Sequence, residues 1–290
     1  MKCEKGIILA GGNGTRLYPL NVATSKQLLP IYDKPAVYYP LTTLMLAGIK
    51  NVLIISTPRD IVNIKALFGT GEQFGMKFEY ADQEQPTGLP EAFVIGEKFI
   101  ANQPVAMILG DNFFHGHGLS QKVYEAAQNI LGGHLFLYLV DNPSRYGIAI
   151  IDDNQKIIEV TEKPSKPKSK LAITGLYFFD GSVAEKAKKI QKSARGETEI
   201  VDLINTYLKE RNLNYSLLGR GYVWFDIGMP KSLLDASNYV EVIQSRQGVY
   251  IASIEEVAFR MKFINKDQLN NIINKLPFGD YREYLESLLI

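Results

Sequence analysis

Short runs of unbroken apolar residues recur along the first half of the chain, and helical-period stretches separate them. Ile7-Ile8-Leu9 opens the series. Val52-Leu53-Ile54-Ile55 and Val105-Ala106-Met107-Ile108-Leu109 continue it. A strand with one wet face alternates polar and apolar residues, whereas an unbroken run is buried on both faces. Strands are therefore expected over residues 6–10, 51–56, 77–81, 104–109 and 134–140. Between them, Val37, Leu41 and Leu44 share a helical face, and Gly48 stands where that helix would stop. Ile61, Ile64, Lys65 and Phe68 form a second such face, and Leu119, Val123, Ala126 and Ile130 a third. Strand–helix alternation of this kind predicts an α/β fold, a mostly parallel sheet covered on both sides.

The texture changes after about residue 145. Ile148 and Ile150 alternate, Asp152-Asp153-Asn154 marks a turn, and Ile158 and Val160 resume the alternation, which reads as a β-hairpin. Residues 173–179 form another strand. Leu233, Ala236, Val240 and Ile243 mark a long helix with Pro230 in its first turn. The tail beyond Gly248 reads as helical, with Tyr281, Tyr284 and Leu288 available to pack on the body or on a partner.

Lys plus Arg total 32 and Asp plus Glu total 31, a net charge of +1. No basic field favours nucleic acid or a membrane surface. The single cysteine, Cys3, excludes an intrachain disulfide and reads as an exposed thiol without a catalytic part. No secretory leader is expected from residues 1–6, and no apolar run approaches the ~20 residues of a membrane helix. The cytoplasm is the expected compartment.

Ligands of open parallel sheets sit beyond the carboxyl ends of the strands. Three polar segments fall there: residues 11–16, residues 83–89, and Asp111. In Leu9-Ala10-Gly11-Gly12-Asn13-Gly14-Thr15-Arg16-Leu17, the glycines allow close approach of backbone N–H groups to an anion. Thr15 adds a hydroxyl and Arg16 a guanidinium suited to phosphate oxygens. The loop is neither a Walker A motif nor a dinucleotide fingerprint, and its glycines alone also fit a plain turn. Lys26, in Ser25-Lys26-Gln27-Leu28-Leu29-Pro30, costs free energy to bury unpaired. His115-Gly116-His117 lacks a third ligand at zinc spacing and is read as loop.

The stretch from Leu9 to Pro40 resembles the signature of the sugar-phosphate nucleotidyltransferases, Gly-Gly-x-Gly-Thr-Arg-Leu-x-Pro followed by Ser-Lys-Gln-Leu-Leu-Pro. Lys26-Gln27-Leu28-Leu29-Pro30-Ile31-Tyr32-Asp33-Lys34-Pro35 is similar to the thymidylyltransferase branch. Further matches follow in order along the chain. They include Gly110-Asp111-Asn112, Ser144-Arg145-Tyr146-Gly147, Glu162-Lys163-Pro164, Thr174-Gly175-Leu176-Tyr177, Gly219-Arg220-Gly221-Tyr222, Trp224-Phe225-Asp226-x-Gly228 and Arg246-Gln247-Gly248.

The resemblance implies a Rossmann-like nucleotidyltransferase fold: a mixed central sheet flanked by helices, an inserted sugar-binding portion and a helical C-terminal tail. Residues 1–245 would be the catalytic domain, with nucleotide binding mainly in 1–115 and sugar-phosphate binding mainly in 140–230. Residues 246–290 would form a helical segment with an interface or regulatory role. The implied activity joins dTTP to α-D-glucose 1-phosphate, giving dTDP-glucose and pyrophosphate, and in the family it feeds dTDP-rhamnose synthesis.

The same resemblance implies the site residues. Arg16, Lys26 and Lys163 would neutralise phosphates, and Asp111 and Asp226 would hold Mg2+, which favours one or two carboxylates plus phosphate oxygens and water. Leu9, Gly11, Gly12, Gly14, Thr15, Gln27, Gln83, Pro86, Gly88 and Leu89 would hold the nucleotide, with Gln83 reading the base. Asn112, Tyr146, Gly147, Glu162, Ile173, Tyr177 and Trp224 would line the sugar site. Family members are typically homotetramers, and many bind a dTDP-sugar such as dTDP-rhamnose at a separate feedback site. Gly116, Arg220, Glu256 and Arg260 would serve there.

The base loop departs from the usual pattern. Glu84, Gln85, Thr87, Pro90 and Glu91 stand where Pro, Ser, an acidic residue, Ala and Gln are usual, and Asn21 replaces Thr. Pro90 bears on the start of the next helix, and Glu91 adds a negative charge near the nucleotide. Two other readings stay open: the same chemistry with UTP or another sugar 1-phosphate, and a non-catalytic subunit that binds sugar nucleotides.

Overall fold

A computed structural model describes residues 1–12, 14–194 and 196–290. Among the described residues thirteen strands follow one another. They are β1 (Lys5–Leu9), β2 (Pro30–Ile31), β3 (Lys34–Pro35), β4 (Asn51–Ser56), β5 (Lys77–Asp82), β6 (Val105–Leu109), β7 (Asn112–Gly116), β8 (Gly133–Leu139), β9 (Gly147–Ile151), β10 (Ile157–Glu162), β11 (Leu171–Phe179), β12 (Leu213–Leu218) and β13 (Tyr222–Asp226). The helices are α1 (Tyr38–Leu46), α2 (Pro58–Phe68), α3 (Glu91–Ile95), α4 (Glu97–Ile100), α5 (Leu119–Gln128), α6 (Val183–Ala187), α7 (Ile200–Lys209), α8 (Pro230–Gln247), α9 (Ile254–Arg260), α10 (Lys266–Ile273) and α11 (Asp280–Ser287).

The unbroken apolar runs make the centre of a nine-stranded sheet. β5, β4, β1 and β6 lie side by side and parallel. Beyond β6 the sheet becomes mixed. β11 runs antiparallel to β6, pairs on its other side with β8, and leads to the β9–β10 hairpin; β12 closes the β8 edge in parallel. The parallel half and the hairpin match the sequence pattern, and the mixed order matches the expected family fold.

The sheet buries both faces. On one, Ile8, Ile54, Ile108 and Phe136 meet α1, α2, α5 and the tail, which contributes Ile254, Ala258, Leu269 and Leu285. Tyr281, Tyr284 and Leu288 pack against this core, so the tail rests on the body of its own chain. On the other face, Ile7, Ile55 and Met107 meet Phe93 of α3 and Val201, Ile204 and Tyr207 of α7. A third cluster joins Ile31, Tyr39, Phe113 and Ile227 to Ala236 and Val240 of α8. Gly48 takes φ +82° just past α1, and Pro230 occupies the first turn of α8. No helix among the described residues is long and apolar enough to cross a membrane.

Two sequence readings need correction. Residues 115–116 are not loop: they end β7, which pairs antiparallel with β13, and His115 Nδ1 lies 2.8 Å from the Tyr239 hydroxyl. The ladder partner is more than a hundred residues away, beyond any local signal. Cys3 is fully buried, and burial pushes its thiol up to about 12, which makes it inert.

Phe136, fully buried between the sheet and its helical cover, tests this core. Phe136→Ala is expected to cost about 3–5 kcal/mol, read as a lowered urea midpoint with an unchanged slope.

Candidate active site

Parallel strands deliver three loops to one end of the sheet. Gly11 and Gly12 follow β1, Gln83 follows β5, and Asp111 follows β6. Backbone hydrogen bonds hold the loops together: Ala10 N–H donates to Ile55 O at 2.7 Å, Gln83 N–H to Ser56 O at 2.7 Å, and Gly110 N–H to Leu9 O at 2.9 Å. Together with residues from β9–β11 and β13 they line a cleft of about 400 Å³.

The ladder between β7 and β13 explains how Asp226 reaches Asp111. Its register sets Asp226 opposite Asn112, and Ile227 N–H donates to Asp111 O at 3.0 Å. Phe113 and Phe225 stack across the ribbon at 5.6 Å between centroids. Asn112 acts as a hub. Its amide oxygen accepts from Trp224 Nε1 at 2.6 Å and from Gly175 N–H at 3.1 Å, and its amide nitrogen donates to Asp111 at 3.0 Å. A side chain on Gly175 would strike this amide, so glycine is required where β11 shifts register.

Two carboxylates this close in a shielded place repel. Burial, and then the charge of Asp111, push the Asp226 carboxyl above its ordinary value, against the opposing pull of Lys26, Arg16 and Arg145. Burial also opposes ionisation of Asp111, but the Lys26 charge and the hydrogen bonds from Lys26 and Asn112 outweigh it and hold Asp111 low. Lys26 ion-pairs directly with Asp111. Arg16 passes so close to Gly228 that a Cβ there would lie 2.9 Å from its guanidinium. Arg145 approaches Asp226 at 3.9 Å and lies over the Tyr146 ring.

Lys163 reaches the cleft from the end of the β9–β10 hairpin, its N–H donating to Tyr146 O at 3.1 Å and its ammonium 3.3 Å from Glu162. Tyr146, Gly147, Ile173 and Trp224 form the neighbouring wall. Tyr177 closes it from below, and burial holds its phenol protonated. Across the cleft, Gly88 pairs with Thr198, whose N–H donates to Thr87 O at 2.8 Å. Any Cβ on Gly88 would collide with the Thr198 backbone, and φ at +130° also favours glycine.

The cleft brings together Leu9, Gly11, Gly12, Arg16, Lys26, Gln83, Pro86, Gly88, Leu89, Asp111, Asn112, Tyr146, Gly147, Glu162, Lys163, Ile173, Tyr177, Trp224 and Asp226. Gly14, Thr15 and Gln27 stand outside its lining. Gln27 is fully buried, its Nε2 donating to Gly11 O at 3.4 Å, so it props the glycine loop from behind. Asn13 lies outside the described residues. Asn21 donates to Gly14 O at 3.0 Å, which gives that departure a place in the loop. Gly116 abuts Gly221, beside Arg220, while Arg260 pairs with Glu256 at 2.6 Å. Among the described residues no hydrogen bond or ion pair joins these two groups, and neither lines the cleft.

Sequence reasoning missed Arg145 as a lining cation, although its motif was noted, and missed residues 197–200 altogether. The polar Gly196-Glu197-Thr198-Glu199 before apolar Ile200 and Val201 does signal a helix start. Its pairing with residue 88 has no local signal.

The arrangement sets an anionic pair within a ring of cations, between one wall that presents amide groups and another rich in aromatic and polar groups. That suits two bound phosphates with different attachments. The chain is similar in sequence and fold to known proteins. The nucleotidyl transferase family model matches residues 5–242. A glucose-1-phosphate thymidylyltransferase of Xanthomonas campestris pv. campestris is 47% identical over 99% of this chain and 98% of its own length. A solved Bacillus anthracis protein, provisionally assigned as a glucose-1-phosphate thymidylyltransferase and crystallised with sucrose, superposes with TM-score 0.75 and 38% identity, covering 81% of this chain and 94% of its own. A UDP-glucose pyrophosphorylase with bound UDP-glucose gives TM-score 0.73 at 25% identity, covering 83% and 99%.

The raised Asp226 carboxyl has a stability consequence. The folded state binds that proton more tightly than the unfolded chain does, so stability falls as pH rises through the raised value. Above it, ionised Asp226 is a net cost. With chelator present at pH 7, Asp226→Asn is expected to stabilise the fold by about 0.5–2 kcal/mol. The gain, read as a rise in Tm, should fade as the pH falls towards the unfolded carboxylate range.

Proposed function

The chain belongs to the nucleotidyl transferase family, and on that premise we propose that it joins dTTP to α-D-glucose 1-phosphate, giving dTDP-glucose and pyrophosphate. The observation that carries the reading is the convergence of Asp111 and Asp226 with Arg16, Lys26, Arg145 and Lys163 on one cleft. A subunit that only bound the product would have little need of two repelling carboxylates facing four cations.

The nucleophile is a phosphate oxygen of the sugar phosphate, already an anion. It attacks the α-phosphorus of the triphosphate, the α–β bridging bond breaks, and pyrophosphate leaves with that electron pair. No covalent enzyme intermediate is required. Holding two anions together is the main barrier, and positioned cations lower it. Arg16 is suited to the β- and γ-phosphates, Lys26 to the transferred phosphoryl group and Lys163 to the sugar phosphate. Glu162 can accept from sugar hydroxyls, and Trp224 can cover an apolar sugar face. In this reading residues 1–115 mainly serve the nucleotide and 140–230 mainly the sugar phosphate, within a catalytic domain of 1–245.

The donor set fits a magnesium ion. No cluster of three or more His, Cys, Asp or Glu exists among the described residues, but Mg2+ takes one or two carboxylates and completes its shell with phosphate oxygens and water. Asp111 and Asp226 would hold it. Bound there, it neutralises developing phosphate charge. The raised Asp226 and the Lys26-paired Asp111 are carboxylates whose mutual repulsion a divalent cation would relieve.

Pyrophosphate release with Mg2+ and glucose 1-phosphate, compared across dTTP, UTP, ATP, CTP and GTP, tests the assignment. Turnover should favour dTTP, and Asp226→Ala should lower it at least ~10²-fold. UTP should show side activity, because a methyl-sized difference is worth only about 1–3 kcal/mol. Equal or better use of another triphosphate would reassign the base; no release with any would favour a binding subunit.

The tail, 246–290, is proposed to carry feedback by a dTDP-sugar such as dTDP-rhamnose, with Gly116, Arg220, Glu256 and Arg260 contributing across an interface of a homotetramer. Arg260→Ala should raise the inhibitory concentration of that product about tenfold, in line with the loss of a charged contact of ~1.5 kcal/mol. Unchanged inhibition would remove Arg260 from the site.

A further inference from the structure

We propose that Glu91 selects the nucleobase through Gln83: it locks the Gln83 amide so that the pocket accepts a pyrimidine carrying a ring N–H and disfavours one lacking it. Uracil and thymine would be taken over cytosine. The inference rests on the nucleotidyl-transfer reading and deepens it.

A glutamine amide offers donors at one end and an acceptor at the other, and its own partners decide which end faces a ligand. Gln83 is almost wholly buried at the end of β5. Its Nε2 donates to Glu91 Oε2 at 2.6 Å. A carboxylate only accepts, so the amide oxygen cannot take that place. The same Glu91 oxygen accepts from the Thr87 N–H at 3.3 Å, which ties the carboxylate to the base loop from its other side.

Gln83 Oε1 is therefore turned away from Glu91 and towards the glycine loop. It lies so close to Gly11 that a Cβ there would collide with it. No hydrogen bond reaches Oε1 among the described residues. Gly11 and Gln83 both line the cleft, whereas Glu91 stands behind it. Glu91 is thus a positioning residue, and it fixes the acceptor Oε1 as the end of the amide that faces Gly11.

Thymine and uracil carry hydrogen on N3 and can donate to that acceptor. Cytosine carries a lone pair there, and two facing acceptors leave both unpaired. With glutamine at position 91, either end of its amide could meet Gln83. The Gln83 amide could then turn over and offer Nε2–H to cytosine N3. Glutamate removes that freedom. Because thymine and uracil share the N3–H, Glu91 separates them from cytosine and not from each other.

The test compares dTTP with dCTP, which share a sugar, using glucose 1-phosphate and pyrophosphate release. kcat/KM is measured for the full-length wild type, Glu91→Gln, Gln83→Ala and the double variant. Glu91→Gln is isosteric and should raise the dCTP-to-dTTP ratio about tenfold, chiefly through KM. In the Gln83→Ala background the same change should leave the ratio unmoved; Gln83→Met replaces Gln83→Ala if the latter does not fold. An unmoved ratio in Glu91→Gln, an equal shift with and without Gln83, or a wild type that uses dCTP as well as dTTP overturns the proposal. If the wild type uses UTP and not dTTP, the thymidylyl assignment fails instead, and the CTP-to-UTP ratio decides the part of Glu91 in the same way.

Discussion

The repulsion between Asp111 and Asp226 is the constraint around which the cleft is arranged. Like charges in a shielded site interact several times more strongly than in water, so the pair persists only where the backbone imposes it. The β7–β13 ribbon does so: its register, the Phe113–Phe225 stack and the hydrogen bond from Ile227 to Asp111 hold the two backbone segments side by side. Lys26, Arg16 and Arg145 then offset part of the charge. The same cations are the ones proposed to hold the phosphates, so what stabilises the resting site would also serve the chemistry.

That placement depends on the far end of the chain. Eight residues after Lys26, the β2–β3 hairpin buries Lys34, whose ammonium lies 2.7 Å from Asp33 and within 5.2 Å of the Tyr250 ring centroid. Burial lowers the Lys34 pKa, against the opposing effect of Asp33. Gln244 of α8 donates to Asp33 at 3.0 Å and accepts from Ile251 N–H at 2.9 Å. Tyr281 of the tail lies 5.9 Å from the same ammonium. A buried cation paired on several sides is costly to disturb, so the loop bearing Lys26 is tied to the start of the tail.

The parallel half of the fold was legible because its strands are unbroken apolar runs and its helices keep one apolar face. Each is a local pattern, and β4 was placed at residues 51–56, the bounds the structure has. The strands that were missed, β2, β3, β7, β12 and β13, are short, half-polar or at an edge. Tyr222-Val223-Trp224-Phe225-Asp226 reads as a motif before it reads as a strand, because its partner is residues 112–116. For the site, sequence motifs named most of the lining. They could not show that Gln27 stands behind the loop, that Arg145 faces Asp226, or that residues 197–200 close the cleft beside residue 88, since each depends on contact between distant segments.

Glu91 shows why residue identity alone is insufficient. In sequence it is simply an added negative charge near the nucleotide. In the fold its carboxylate is turned to Gln83 and the Thr87 N–H, and it sits outside the cleft lining. Pro90, the other departure, takes φ −57° immediately before α3, the torsion proline already favours, so it starts that helix without distorting it. The two changes therefore act on the loop from behind, one through backbone geometry and one through a hydrogen bond, while Gln83, Gly88 and Leu89 still line the cleft. A loop that keeps its face while changing its support can alter selectivity without altering the reaction.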